Sequence, residues 1–366
     1  MDVGLAVVFQ GTNKELSDHQ VYQQDLRLGM LAEELGFQSI WGIEHHFTDY
    51  TMCPDPVQFL SYFAAKSDKL LLGTMVIVLP WHDPMRVAEE ISMLDNMSNG
   101  RMILGIGRGL GRVEFDGFGK DMNISREYFT ESAQMIIEGL ESGTCEFNGK
   151  HIKQARRDIR PRPFKTFKGR TYAAAVSPES SQLMAQLGVG ILIIPQKPWA
   201  HVVKELGDYR KIFREVNGAD APAPILGGFT YCDKNADRAE EMATKYIGGY
   251  YRTAIEHYEM ASDHLNNTKG YESYARMNEH ITGHVDAAVE FYKSIQVYGT
   301  PEQCYTKIKN FTELTGAGAY NGFFNYAGMP IADAEASMRL FAKEVMPEVK
   351  KLPGRPLMEL LKEAAE

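Results

Sequence analysis

The chain has 366 residues, 44% hydrophobic and 24% charged, an ordinary globular mix. Its 39 Lys and Arg against 48 Asp and Glu leave a net charge of −9, which argues against nucleic acid or an anionic membrane as partner, since their phosphates would be repelled. The cysteines, Cys53, Cys145, Cys232 and Cys304, form no CxxC pair, so neither a zinc knuckle nor a disulfide framework is expected, and lone thiols fit a reducing cytoplasm.

In chain order, the opening MDVGLAVVFQ lacks the basic and then apolar pattern of a secretory signal. No run of about 18 apolar residues follows that would span a membrane. Short apolar runs read as strands at Val3–Phe9, Gln38–Ile43, Leu70–Val78, Met102–Gly107, Thr171–Val176, Val189–Ile194, Ile225–Tyr231 and Tyr320–Tyr326. Near-continuous apolar character is expected where both faces of a sheet are covered. Helical spacing separates them at Asp18–Leu35, Pro84–Met97, Ser125–Leu140, Pro178–Leu187, Ala236–Tyr258 and Pro301–Leu314, and Ala332–Val345 closes the series. Alternation of this kind predicts a (β/α)8 TIM barrel, α/β in class and one domain over residues 1–366, with a doubly wound sheet as the alternative. Two spans interrupt it. Cys145–Lys168 starts like a polar hairpin, and Glu259–Gly299, between the seventh and eighth strands, is long enough to act as a lid or to be a surface insertion without a role.

Chemistry gathers at the C-terminal ends of strands, where barrels carry their sites. Glu44-His45-His46 follows the second strand. Successive side chains leaving a strand face opposite ways, so one histidine can reach the barrel mouth while the other supports it. Imidazole exchanges protons near neutrality, which suits an acid or base, although two structural histidines would look the same. Helical spacing that would aim two imidazoles at one metal ion is missing, so no metal is expected. After the fourth strand, Gly105-Ile106-Gly107-Arg108-Gly109-Leu110-Gly111 fails the GxGxxG pattern because Leu110 stands at the third glycine position. It instead brackets Arg108 with glycines, allowing close backbone approach and a forked bond to phosphate. Ser177-Pro178-Glu179-Ser180-Ser181 opens a helix after the fifth strand, as an ordinary N-cap or, together with Arg108, as a phosphate site.

The segments GIEHHFTDY, LGTMVIVLP, AEEISMLDNMSNGR, GIGRGLGRVEFDGFGKDMNISR, MAQLG, YGTPEQC and MRLFAKEVMP together resemble the bacterial luciferase-like flavin-dependent monooxygenases, close to the luciferase alpha subunit. The likeness extends over about residues 3 to 350. It implies reduced FMN as cosubstrate, supplied by a separate flavin reductase, and O2 as oxidant through a C4a-hydroperoxyflavin. The expected reaction is hydroxylation or Baeyer–Villiger oxidation of an apolar or aromatic small molecule. By the same resemblance His45 is the catalytic histidine flanked by Glu44 and His46, and Arg108 is the phosphate arginine. Gly107, Gly109 and Leu110 border the flavin. Met75-Val76 is a cis peptide beneath the ring, and Val176, Ser177, Ser180 and Ser181 lie at the phosphate. The resemblance also implies a homodimer or heterodimer through the Glu89–Met97 helical face.

Two departures stand out. Gly107 replaces a cysteine of the alpha subunits, which is expected to open space beside the flavin, and Val176 replaces an acidic residue. A deazaflavin-dependent hydride-transfer enzyme and a non-catalytic flavin-binding subunit remain as alternatives.

Overall fold

The computed structural model describes residues 1–174, 178–272, 274–275, 281–354 and 357, and of residues 178–181 the backbone alone. Eight strands form a parallel barrel: β1 (Asp2–Val7), β2 (Ser39–Gly42), β3 (Leu71–Thr74), β4 (Met102–Gly107), β5 (Thr171–Ala174), β6 (Gly190–Ile193), β7 (Ile225–Cys232) and β8 (Ala319–Phe323). Each pairs with the next, and β8 closes the ring by pairing Gly4 of β1 with Asn321. The expected barrel is therefore found, with strands mostly shorter than their apolar runs. Leu70–Val78, read as one strand, is two: Leu71–Thr74 belongs to the barrel, and Ile77–Val78 pairs separately with Ile106–Gly107.

The closed sheet is feasible because small and large residues interleave inside it. Trp41 is fully buried and donates from its indole nitrogen to Ser39 Oγ at 2.8 Å. Its ring lies so close to Gly73 that a Cβ there would come within 2.2 Å, so glycine is needed on the neighbouring strand.

Helices cover the outside. Ser17 and Thr300 each begin one with a reciprocal capping box, to Gln20 and Gln303, and Pro84 and Pro301 stand in first turns where a missing N–H costs nothing. The run read as Ala236–Tyr258 is helix Ala236–Met242, a π turn Ala243–Ile247 and helix Gly248–His257. Polar residues 144–158 form the expected hairpin, Thr144–Asn148 against Lys153–Asp158. The span between β7 and β8 has structure of its own: a turn at His264–Asn267, helix Val285–Ser294 and strand Val297–Gly299, which pairs with the end of β7. Among the described residues no helix is long and apolar enough to cross a membrane.

One buried ion pair joins layers of the fold. Arg170, ahead of β5, donates to both carboxylate oxygens of Asp95, at 2.5 and 3.0 Å, and to the carbonyls of Met102, Lys165 and Thr166. Asp95, on helix Pro84–Met97, also accepts the backbone N–H of Phe164 and Lys165. Both side chains are out of solvent, so removing one partner strands a charge. Arg170→Met should lose about 3–5 kcal/mol in urea unfolding. The double variant Asp95→Leu/Arg170→Met should be more stable than the single one, and equal losses would contradict this account.

Candidate active site

The site grows from the end of β2. Glu44 is 1% exposed yet fully engaged: Val78 donates its backbone N–H to Oε2 at 2.7 Å, while His46 Nε2 and His82 Nε2 lie 3.0 and 2.6 Å from Oε1. Burial would raise the carboxyl, but the bonds from His46 and His82 outweigh it and hold Glu44 below its ordinary range. Burial likewise works against the charged form of His82, and the hydrogen bond to Glu44 reverses that, so His82 is pushed up.

Glu44 thereby pins the short segment that follows β3. Met75 donates its N–H to Gly42 O at 2.7 Å, and the Met75–Val76 peptide is cis, as the resemblance implies. The expectation that Gly107 opens space is overturned. A Cβ at Gly107 would lie 2.4 Å from Val76 Cγ2, so the valine side chain already fills the gap.

His45 has partners of its own. Its Nδ1 lies 2.8 Å from Glu114 Oε1 and its Nε2 3.1 Å from the Tyr258 hydroxyl. Glu114 belongs to the short helix Arg112–Gly117 and also accepts the His46 N–H at 3.0 Å. Burial opposes its ionisation, but the charge of His45 and hydrogen bonding from His257 prevail and lower it to about 2. His257, at the end of helix Gly248–His257, has Nε2 3.4 Å from Glu114 Oε1 and Nδ1 2.9 Å from Thr48 Oγ1. One ligand atom each from His45, Glu114 and His257 lies within 4.8 Å of the others, a spacing that also suits a metal ion. The hydrogen-bond account explains the contacts directly, because Glu114 Oε1 already faces two nitrogen donors.

A cavity of about 180 Å³ opens here, lined by Glu44, His45, Met75, Val76, Gly107, Arg108, Gly109 and Leu110. The structure thus unites most of the residues singled out in the sequence. His46 is not among the lining residues. Its ring packs edge-on against Trp81 and Phe118, and its Nε2 faces Glu44 Oε1. Val176 and Ser177 lie outside the described residues. Ser180 and Ser181 lie in helix Pro178–Gln186, whose first-turn side chains are outside the description.

Arg108 and Arg126, both lining the cavity, donate to the carbonyl of Gly270 at 2.6 and 2.8 Å, and the Arg108 guanidinium lies over the Tyr271 ring at 3.9 Å. The Tyr271 hydroxyl donates to Gly109 O at 2.9 Å. Much of the lining is aromatic, with Tyr50, Phe229, Tyr250, Tyr258, Tyr292 and Phe323. Sequence reasoning missed Glu114, His257, Tyr258 and Arg126. Glu114 and Arg126 stood inside a segment already singled out, three and eighteen positions beyond Gly111 and Arg108. Nothing local marked His257.

Comparison with known proteins agrees with this geometry. The family described as Luciferase-like monooxygenase matches residues 1–318. The alkanal monooxygenase alpha chain of Photorhabdus luminescens is 29% identical over 345 residues, covering 92% of this chain and 94% of the other. The oxygenase component of the flavin-dependent trigonelline monooxygenase of Acinetobacter baylyi is 24% identical over 356 residues and 95% of each chain. Among solved structures, the monooxygenase RslO1 of Streptomyces bottropensis superposes with a TM-score of 0.77 at 26% identity, covering 95% of this chain and 99% of that one. The chain belongs to the luciferase-like monooxygenases and is a flavin-dependent oxidoreductase of that class.

The Glu44 cluster makes a pH-dependent contribution with a definite sign. Glu44's share is complete above its unfolded value of 4.5 and fades as pH falls through its lower folded value. His82's share is complete below 6.5 and fades as pH rises through its raised folded value. Glu44→Gln should therefore cost about 2 kcal/mol. Denaturant titrations of both proteins across pH should show the gap widest between 4.5 and 6.5. A gap independent of pH would refute the assignment.

Proposed function

We propose that this chain is the oxygenating component of a two-component monooxygenase that takes reduced FMN from a separate flavin reductase and uses O2 to oxidise an apolar or aromatic small molecule. One observation carries the reading: one cavity is lined by the imidazole of His45 and by two arginines, Arg108 and Arg126. Bound reduced flavin would supply the oxygen-activating chemistry. Arg108 and Arg126 suit its phosphate, since guanidinium groups bond phosphate in a fork. Met75, Val76, Gly107, Gly109 and Leu110 would flank the ring system, and Ser177, Ser180, Ser181 and the backbone at Val176 would complete the phosphate cradle.

His45 is the proton-exchanging group, with Glu114 fixing its orientation. Glu44 and His46 shape the wall behind it. The aromatic wall suits an apolar or aromatic substrate, and burial holds the tyrosines Tyr50, Tyr250, Tyr258 and Tyr292 neutral, with hydroxyls well above their ordinary range. Residues 259–299 would exclude water as a lid, since Gly270 and Tyr271 already rest on Arg108 and Gly109. The free thiols of all the cysteines are in keeping with a cytoplasmic location.

Helix Pro84–Met97 leaves Met93 and Met97 47% and 51% exposed, which suits a dimer face shared with a second copy or a related chain.

Anaerobic fluorescence titration tests the cofactor. Reduced FMN should bind, and Arg108→Met should weaken it about 10- to 100-fold. Equal affinity for FMN and riboflavin would remove the phosphate role, and preference for a reduced deazaflavin would replace the cofactor. His45→Ala should keep flavin affinity within about twofold but lose oxygenated product per flavin oxidised, releasing hydrogen peroxide instead. Unchanged coupling would sink the role given to His45. For the dimer, Met93→Lys/Met97→Lys should shift sedimentation from dimer to monomer while the folded signature is kept.

A further inference from the structure

The histidine that the sequence left unmarked occupies a specific electrostatic position. His257 is 7% exposed, and its ring is enclosed by Tyr50, stacked at 4.5 Å, and by the edges of His45 and Tyr258 at 5.0 and 4.9 Å. Glu114 faces its Nε2, Thr48 its Nδ1, and Glu259, itself paired with Arg112, bears on it from the following turn. His257 Nε2 and Glu114 Oε2 are both buried without a hydrogen-bond partner, and Nε2 stands 3.4 Å from Glu114 Oε1, at ion-pair distance. They converge on Gly111, where a Cβ would lie 2.4 Å from Glu114 Oε2 and 3.1 Å from His257 Nε2.

A lone pair on Nε2 would point at an anion, so the proton of a neutral His257 belongs on Nε2, and the Thr48 hydroxyl then donates to Nδ1. Burial and the neighbouring His45 both push His257 below its ordinary range, so it stays neutral while Glu114 stays ionised.

We infer that His257 is a positioning residue for His45. Anchored by Thr48, it presents its Nε2 to Glu114 at 3.4 Å and keeps that carboxylate turned toward His45. His45 is thereby fixed with its Nδ1–H on Glu114 and its Nε2 lone pair toward Tyr258 and the cavity. The arrangement is that of an acid–base histidine oriented by a carboxylate, with a second histidine orienting the carboxylate. Two imidazoles share one anion, and His257 is the one that burial holds neutral. The inference rests on the proposed role of His45 as the proton-exchanging group.

The test uses the full chain, free of flavin, with ¹⁵N-labelled histidine imidazoles. In the wild type, His45 should show the Nδ1–H tautomer and His257 the Nε2–H tautomer. His257→Phe removes the donor, makes Glu114 a stronger base, and should raise the His45 midpoint by about half a pH unit or more. His257→Gln, whose amide can both donate to Glu114 and accept from Thr48, should restore the wild-type midpoint and tautomer. Thr48→Val, at the partly exposed end of the chain of contacts, should disturb the His257 tautomer with the imidazole still present, and it keeps the test decisive should the phenylalanine variant not fold. An unmoved His45 midpoint and tautomer in the phenylalanine variant, or in Thr48→Val where that variant does not fold, would overturn the inference.

Turnover with reduced FMN separates this inference from the reading on which it rests. The pH profile of coupled product formation should follow the His45 midpoint from variant to variant. A midpoint that moves while the profile stays fixed leaves the positioning role standing and removes His45 from the proton chemistry.

Discussion

The constraint on which the site depends is the burial of an anion at the end of a strand. Glu44 leaves β2 into a place without water, and a carboxylate there is tolerable only when nearly every lone pair is met. The donors that meet it come from three places: the backbone of Val78, His82 after the same segment, and His46 two residues along. Satisfying one charge therefore fixes the path from β3 toward the following helix. The same anchoring fixes the backbone from which the next residue, His45, reaches the cavity.

A second buried anion, Glu114, repeats the device on the other side of the EHH turn. It collects the His46 backbone, His45 and His257, and so ties β2 to the turn after β4 and to the helix that follows β7. Among the described residues the cavity's titratable or charged lining includes Glu44, His45, Arg108 and Arg126. The rest of the lining is rich in aromatic rings, with Phe229 and Phe323 stacked at 4.7 Å and the hydroxyls of Tyr50 and Tyr250 bonded to each other.

Much of the barrel was legible because a parallel strand covered on both faces leaves a dense apolar run, and Gly36, Pro84 or Thr300 punctuates it by local backbone chemistry. Strand ends were less legible. Residues such as Val8 and Phe9 are buried beyond the last barrel pairing, so hydrophobicity continues after the hydrogen bonds stop. Leu70–Val78 reads as one strand for the same reason, since nothing in the side chains marks a cis bond between Met75 and Val76 except the family resemblance.

In the site, residues that chain neighbours bring together were found, and those that only the closed barrel brings together were not. His45 and His257 are in ring contact yet far apart in sequence, and a histidine at the end of a tyrosine-rich helix has no local signature. Arg126 was passed over because an arginine in a first helical turn looks like an ordinary surface residue.

The misjudged Gly107 has the widest bearing. A missing side chain was taken as vacant room, whereas the branched side chain of Val76 occupies it. These positions lie on different barrel units, yet each sets the size allowed at the other. A larger residue at 107 demands a smaller one at 76, so relatives would pass between the two solutions by paired replacement, and a single exchange at either position would meet a collision or leave a hole. Across the family these two sites are expected to covary as one character, and exchanging them together is the route by which the wall of such a cavity can be rebuilt without disturbing the barrel.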